Sequence, residues 1–159
     1  METTVRDKQQ TSGKFYKKLF KLTIGGGLAF WAATIAISLT PIRADFRAAF
    51  SMDYVQSVLV EGLLGSLIIG FFVSFFLLRF FDKVPTKNPI LKSVILSFVA
   101  YVINLILLGV AASRTSDAQH IFLIGAALNV PTYLILGIVV GYLYKRLYGS
   151  ESLRQSDKY

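Results

Sequence analysis

Four apolar stretches, residues 22–40, 54–78, 93–112 and 121–144, take up more than half of this 159-residue chain. Each is long enough to cross a bilayer's hydrocarbon core as a helix, which takes about 20 apolar residues. Charged residues make up only 16% of the chain and hydrophobic ones 54%, far from the balance of a soluble domain. Little chain is left over for a second domain. The expected fold is therefore an all-α membrane protein, a four-transmembrane-helix bundle whose short connections make consecutive helices antiparallel neighbours. Residues 14–148 form that domain. A polar tail at 1–13, without apolar periodicity, is expected to be disordered, and a second tail at 149–159 to be flexible.

The basic residues fix an orientation. Six precede the first stretch (Arg6, Lys8, Lys14, Lys17, Lys18, Lys21), four flank or fill the second connection (Arg79, Lys83, Lys87, Lys92), and four follow the last stretch (Lys145, Arg146, Arg154, Lys158). The other two connections hold only Arg43, Arg47 and Arg114. Short segments rich in Lys and Arg stay in the cytoplasm, so both termini are expected there, with the protein in the cell membrane. The net charge of +8 is then topological. Its partner is the bilayer, with anionic lipid at the cytoplasmic face, and not nucleic acid. Phe15, Tyr16 and Phe20 alternate with Lys14, Lys17, Lys18 and Lys21, as suits a helix entering through such a head-group layer. The first apolar run exceeds the roughly 7–15 residues of a signal-peptide core and is read as a retained helix.

Several chemistries drop out. There is no cysteine, which removes disulfides, thiolate metal sites, cysteine nucleophiles and lipidated cysteine anchors. His120 stands alone, so no metal site is expected, and nothing calls for a cofactor. Gly25-Gly26-Gly27 lacks the following Lys-Ser or Lys-Thr of a phosphate-binding loop; with Ala29, Ala33 and Ala36 it reads as a packing face.

Small residues mark where helices meet. Gly62, Ser66, Gly70 and Ser74 recur every four residues along the second stretch, a strip that lets two backbones approach closely. Gly137 and Gly141 repeat the spacing in the fourth. Residues 67–74 and 134–141 align, Gly70 with Gly137 and Ser74 with Gly141, as a duplicated hairpin would produce. Pro131 sits well inside the fourth stretch and predicts a kink near residues 127–131. Pro89 is placed to open the third helix, and Lys92 to snorkel back to the interface. In the first outer loop Phe46, Ala49, Phe50 and Tyr54 fall at helical spacing; a short interfacial helix and an early start of the second span both account for this.

A polar layer crosses the bundle. Counting inward from the outer boundaries, Thr34, Glu61, Asn104 and Asn129 all lie roughly 9–12 Å deep at 1.5 Å per residue. Tyr101 and Tyr133 sit about a turn deeper. Polar groups at this depth are costly, so the coincidence carries information. In one reading the layer is glue, with a neutral Glu61 donating to Asn104 or Asn129 and the chain a structural or assembly subunit. In the other Glu61 binds a proton or cation, and the chain is a small coupled transporter. In helix count and its single membrane carboxylate it is similar to the small four-helix multidrug exporters, but their glutamate is on the first helix and Glu61 is on the second, so no residue or activity carries over. No nucleophile–base pair or second carboxylate supports an enzyme. A second copy of the chain, or a subunit of a membrane complex, is the partner a small bundle of this kind would take.

Overall fold

The computed structural model describes the backbone of residues 2–51, 53, 55–84 and 86–156, and the side chains of 13–51, 53, 55–56, 58–84 and 86–148. Tyr54, where the sequence reading starts the second span, lies outside them, as do the side chains of both tails.

All the regular elements among the described residues are helical, with no strands. Helix α1 runs Glu2–Ser38, α2 Pro41–Ala49, α3 Gly62–Arg79, α4 Pro89–Ala112 and α5 Ala118–Ser156. A π-helical segment, Val55–Glu61, leads directly into α3, and a 3-10 turn, Phe81–Lys83, follows it. Four helical stretches are long and apolar enough to span a membrane: Gly13–Ser38, Val58–Arg79, Pro89–Ala112 and Ala118–Tyr148. Even the shortest, at 22 residues, is about 33 Å long. Backbone helix runs on through residues 2–13 and out to Ser156, the segments read from the sequence as a disordered and a flexible tail. No proline interrupts 2–38, and Glu, Arg, Lys and Gln in the tail are adequate helix formers.

The surface differs from that of a soluble bundle. On α4, Val99, Val102, Ile103, Ile106, Leu107 and Val110 form a continuous exposed apolar face, a patch no soluble monomer would carry. Ser66, Ser74, Ser93, Ser97 and Thr132 are buried instead. The Ser74 and Ser93 hydroxyls have no hydrogen-bond partner, so it is small volume that suits them to their places.

The bundle is built from two tight pairs, α1 with α3 and α4 with α5, joined mainly through α1 and α5; α3 and α4 meet far less. The small-residue strips account for both pairs. A Cβ on Gly70 would stand 2.9 Å from the Gly27 backbone nitrogen and 3.1 Å from the Thr23 carbonyl. A Cβ on Gly137 would stand 2.7 Å from Val94 Cα, and one on Gly141 2.9 Å from the Pro89 carbonyl. The aligned positions Gly70 and Gly137 thus do the same work in the two pairs. Gly25 and Gly26 leave room for Leu143 and for Val140 and Leu136 of α5. Ser66, Gly70 and Ser74 are buried, whereas Gly62 is only half-buried. Between the pairs, Phe30, Leu77, Tyr101, Tyr133, Leu136 and Val140 belong to the main core.

Helix α2 resolves the ambiguity of the first loop. Pro41 opens it in the first turn, and Arg47 Nη1 donates to the Ser38 carbonyl at 3.2 Å, closing the end of α1. Phe46 is buried with Leu108, Ala112 and Ile121, in a notch beside Gly125. Helix α2 is therefore clamped over the ends of α4 and α5. At the opposite end Asn88 caps α4 through the Ile90 N–H at 3.0 Å. Lys92 is buried and reaches back to the connection before α4, with its ammonium on the Phe81 carbonyl and 3.8 Å from the Phe81 ring centroid.

These contacts predict a sharp contrast between two glycines of one helix. Gly70→Leu should lower stability by about 1–3 kcal/mol, because the backbone it meets has no freedom to move aside. Gly65→Ala, whose Cβ meets nothing within 4 Å, should leave it unchanged. Thermal unfolding in detergent measures both, and equal stability of Gly70→Leu and the parent would mean that the α1–α3 contact is not close-packed.

Candidate functional site

A cleft of about 330 Å³ opens at the α2 end of the bundle, in the gap between α3 and α4. Phe30 and Thr34 of α1, and Asn129 and Tyr133 of α5, line it, with Arg43 and Phe46 of α2. Its sides are Glu61, Gly65, Ser66 and Ile69 along the second span, and Asn104, Leu107 and Leu108 of α4. Five of the six polar residues read from the sequence as one layer, Thr34, Glu61, Asn104, Asn129 and Tyr133, therefore share one cavity. The sixth, Tyr101, packs beside Tyr133 with ring centroids 5.4 Å apart, and its hydroxyl donates to the Ala126 carbonyl at 3.0 Å.

Glu61 does not bond to Asn104 or Asn129. It is exposed, and its carboxylate accepts from Gln56 Nε2 at 3.0 Å. The π-helical segment explains the pairing. Its i→i+5 repeat turns Gln56 toward the side of the helix that carries Glu61, a register an α-helix would not provide. Trp31 of α1 anchors the same segment, donating from Nε1 to the Val58 carbonyl at 2.9 Å.

The other polar groups serve mainly their own helices. Thr34 Oγ1 donates to the Phe30 carbonyl at 3.0 Å, and Ser66 Oγ to that of Leu63 at 2.8 Å. Around Pro131, Asn129 Nδ2 donates to the Gly125 carbonyl at 2.7 Å and Thr132 Oγ1 to the Asn129 carbonyl at 2.6 Å. Ser97 donates across from α4 to the Tyr133 carbonyl. These donors reach the Gly125, Asn129 and Tyr133 carbonyls on either side of Pro131, and α5 is helical from Ala118 to Ser156. Among the described residues Asn104 and the Tyr133 hydroxyl make no hydrogen bond; both residues line the cleft, although Tyr133 as a whole is only 3% exposed. Of the six polar residues five line the cavity, and Tyr101 bonds across to α5, as Ser97 also does.

Arg43 is the member that sequence reasoning missed. Its guanidinium lies over the Phe46 ring, 4.7 Å from the centroid, and its Nε is buried without a partner. Burial first, and the like charge of Arg47 second, push its pKa below the usual guanidinium value. An arginine does not give up its proton under such pressure, so the charge persists and favours an anion beside it. The signal was present: Arg43 precedes Phe46 by three residues and so shares its face of α2. It was counted only as a loop charge.

No known protein family, characterised protein or solved structure matches this chain.

The hydrogen bonds separate glue from lining experimentally. Tyr101→Phe should lower stability by about 0.6–1.7 kcal/mol, the span found for hydrogen bonds between membrane helices. Asn104→Leu should be close to neutral, because no bond is lost. Chemical or thermal unfolding in detergent distinguishes them, and a larger loss at Asn104 than at Tyr101 would contradict this division.

Proposed function

We propose that the protein is a small multi-pass carrier of the cell membrane, with both termini cytoplasmic, that admits a proton or small cation to Glu61 from the outer side. The observation that carries this reading is the open cleft with the exposed Glu61 carboxylate in its wall. A carboxylate within the span of a membrane helix is a functional site by default, provided that something can reach it. Beneath the cleft, the packed Phe30, Tyr101, Tyr133 and Leu136 close the other half of the bundle. That is the arrangement of a site open to one side only. The alternative, a structural or assembly subunit, calls for a polar layer sealed as glue, and neither Glu61 nor Asn104 is used in that way. The role proposed is binding and movement of the ion. Anionic lipid is the partner proposed for the cytoplasmic end, where Tyr16, Lys17, Phe20 and Lys21 are exposed. A second copy or a membrane-complex subunit remains the protein partner.

Two measurements test this reading. Single cysteines at Ser12 and Ser156 should be shielded from a membrane-impermeant thiol reagent in intact cells, and one at Ser116 should label; labelling of the termini from outside would reverse the orientation. In vesicles holding a pH-sensitive dye, the purified protein should pass protons under an imposed proton or sodium gradient. Glu61→Gln should fold as the parent does and abolish that flux. Equal flux from parent, variant and empty vesicles would leave the carrier reading without support.

A further inference from the structure

The cleft carries two opposite charges on separate elements, and it is open on its flank. Arg43 stands on α2 with a buried guanidinium nitrogen unpaired, while Glu61, at the entry to α3, takes its hydrogen bond from the neutral Gln56. In the same lining, Asn104 and the Tyr133 hydroxyl make no hydrogen bond among the described residues. A group with an anionic and a cationic end would satisfy all four. Arg43, with the Tyr133 hydroxyl and the Asn104 amide, offers donors to an anion. Glu61 offers only acceptors, which suits an ammonium that has N–H groups to donate.

The flank says where such a ligand comes from. Helices α3 and α4 both line the cleft yet pack little against each other, and near the lining residues in sequence Leu64 and Ile68 of α3 and Ile103 and Leu107 of α4 are 57–64% exposed. Leu107 also belongs to the cleft wall. These residues lie within spans long enough to cross the membrane, so the gap faces hydrocarbon. A polar pocket with an apolar slot beside it fits an amphiphile, head in the cleft and chains along the slot.

We propose that the cleft binds a zwitterionic phospholipid with a primary-amine head group, entering sideways from the outer leaflet between α3 and α4; this rests on the reading of the cleft as an open binding site. A quaternary ammonium head suits the site less. Such groups are held over open aromatic faces, whereas Phe46 is already covered by Arg43, and Phe30 packs edge-to-face on Tyr133 at 5.0 Å. Glu61 is then the residue that chooses the amine, and Arg43 the one that holds the phosphate.

The absence of native cysteine makes the test direct. Gly65 lines the cleft with nothing within 4 Å of a Cβ, so Gly65→Cys places a single thiol inside without disturbing the fold. In maltoside detergent a charged, water-soluble methanethiosulfonate should label it. Dihexanoyl-phosphatidylethanolamine should slow labelling about tenfold at about ten times its Kd. Dihexanoyl-phosphatidylcholine should slow it far less, and free phosphoethanolamine hardly at all. Adding Arg43→Gln or Glu61→Gln should remove the protection. If Gly65→Cys folds poorly, Thr34→Cys reports from the same cleft. Absence of labelling would overturn the open cleft itself, and the carrier reading with it. Labelling without protection, or equal protection by the choline lipid, would overturn the amine-lipid proposal alone. Equal protection by free phosphoethanolamine would make the ligand a soluble zwitterion and overturn the lateral route.

Discussion

The close approach of α1 to α3 at Gly27 and Gly70, and of α4 to α5 at Gly137 and Val94, sets the geometry of everything else. Lipid tails are as apolar as leucine, so membrane helices gain little by hiding apolar side chains from them. What draws them together is contact at short range, and that needs small residues in line. This chain spends its small residues on two pairs. Each pair locks along a strip, and the α3–α4 seam receives no such strip. A gap therefore opens there, and the polar side chains of four helices surround it.

Helix α2 turns that gap into a site. Phe46 seats it in the notch beside Gly125, and Arg47 ties it to the last turn of α1. Those two anchors hold Arg43 against the cleft, where burial would otherwise make a lone guanidinium unfavourable. The π-helical segment does the matching work on the opposite wall by turning Gln56 toward Glu61. Such segments are rare and concentrate at functional sites, because the wider turn costs backbone energy that packing must offset. Both charged groups of the cleft are thus held by irregular or short elements, while the four long helices supply the frame.

The proline in α5 belongs to the same arrangement. A missing N–H and a crowded carbonyl would weaken a lone helix in lipid. Here Asn129, Thr132, Tyr101 and Ser97 donate to neighbouring carbonyls, and two of these donors reach across from α4. The two cross-helix bonds therefore tie α4 to α5 on both sides of Pro131.

By itself the sequence determined the number of long apolar helices and the strips along which they pack, because length, hydropathy and four-residue spacing are properties of one helix at a time. It also put Thr34, Glu61, Asn104 and Asn129 at one depth, with Tyr133 about a turn deeper, since depth follows from counting residues at a constant rise. Only the tertiary structure decided which helices pair, that Glu61 turns to Gln56 in place of Asn104 or Asn129, and that Arg43 joins the site. Those outcomes depend on the rotation of each helix about its axis and on the seating of α2. Both are fixed by contacts between residues far apart in the chain, Phe46 with Gly125 and Gly27 with Gly70, and no local pattern records them.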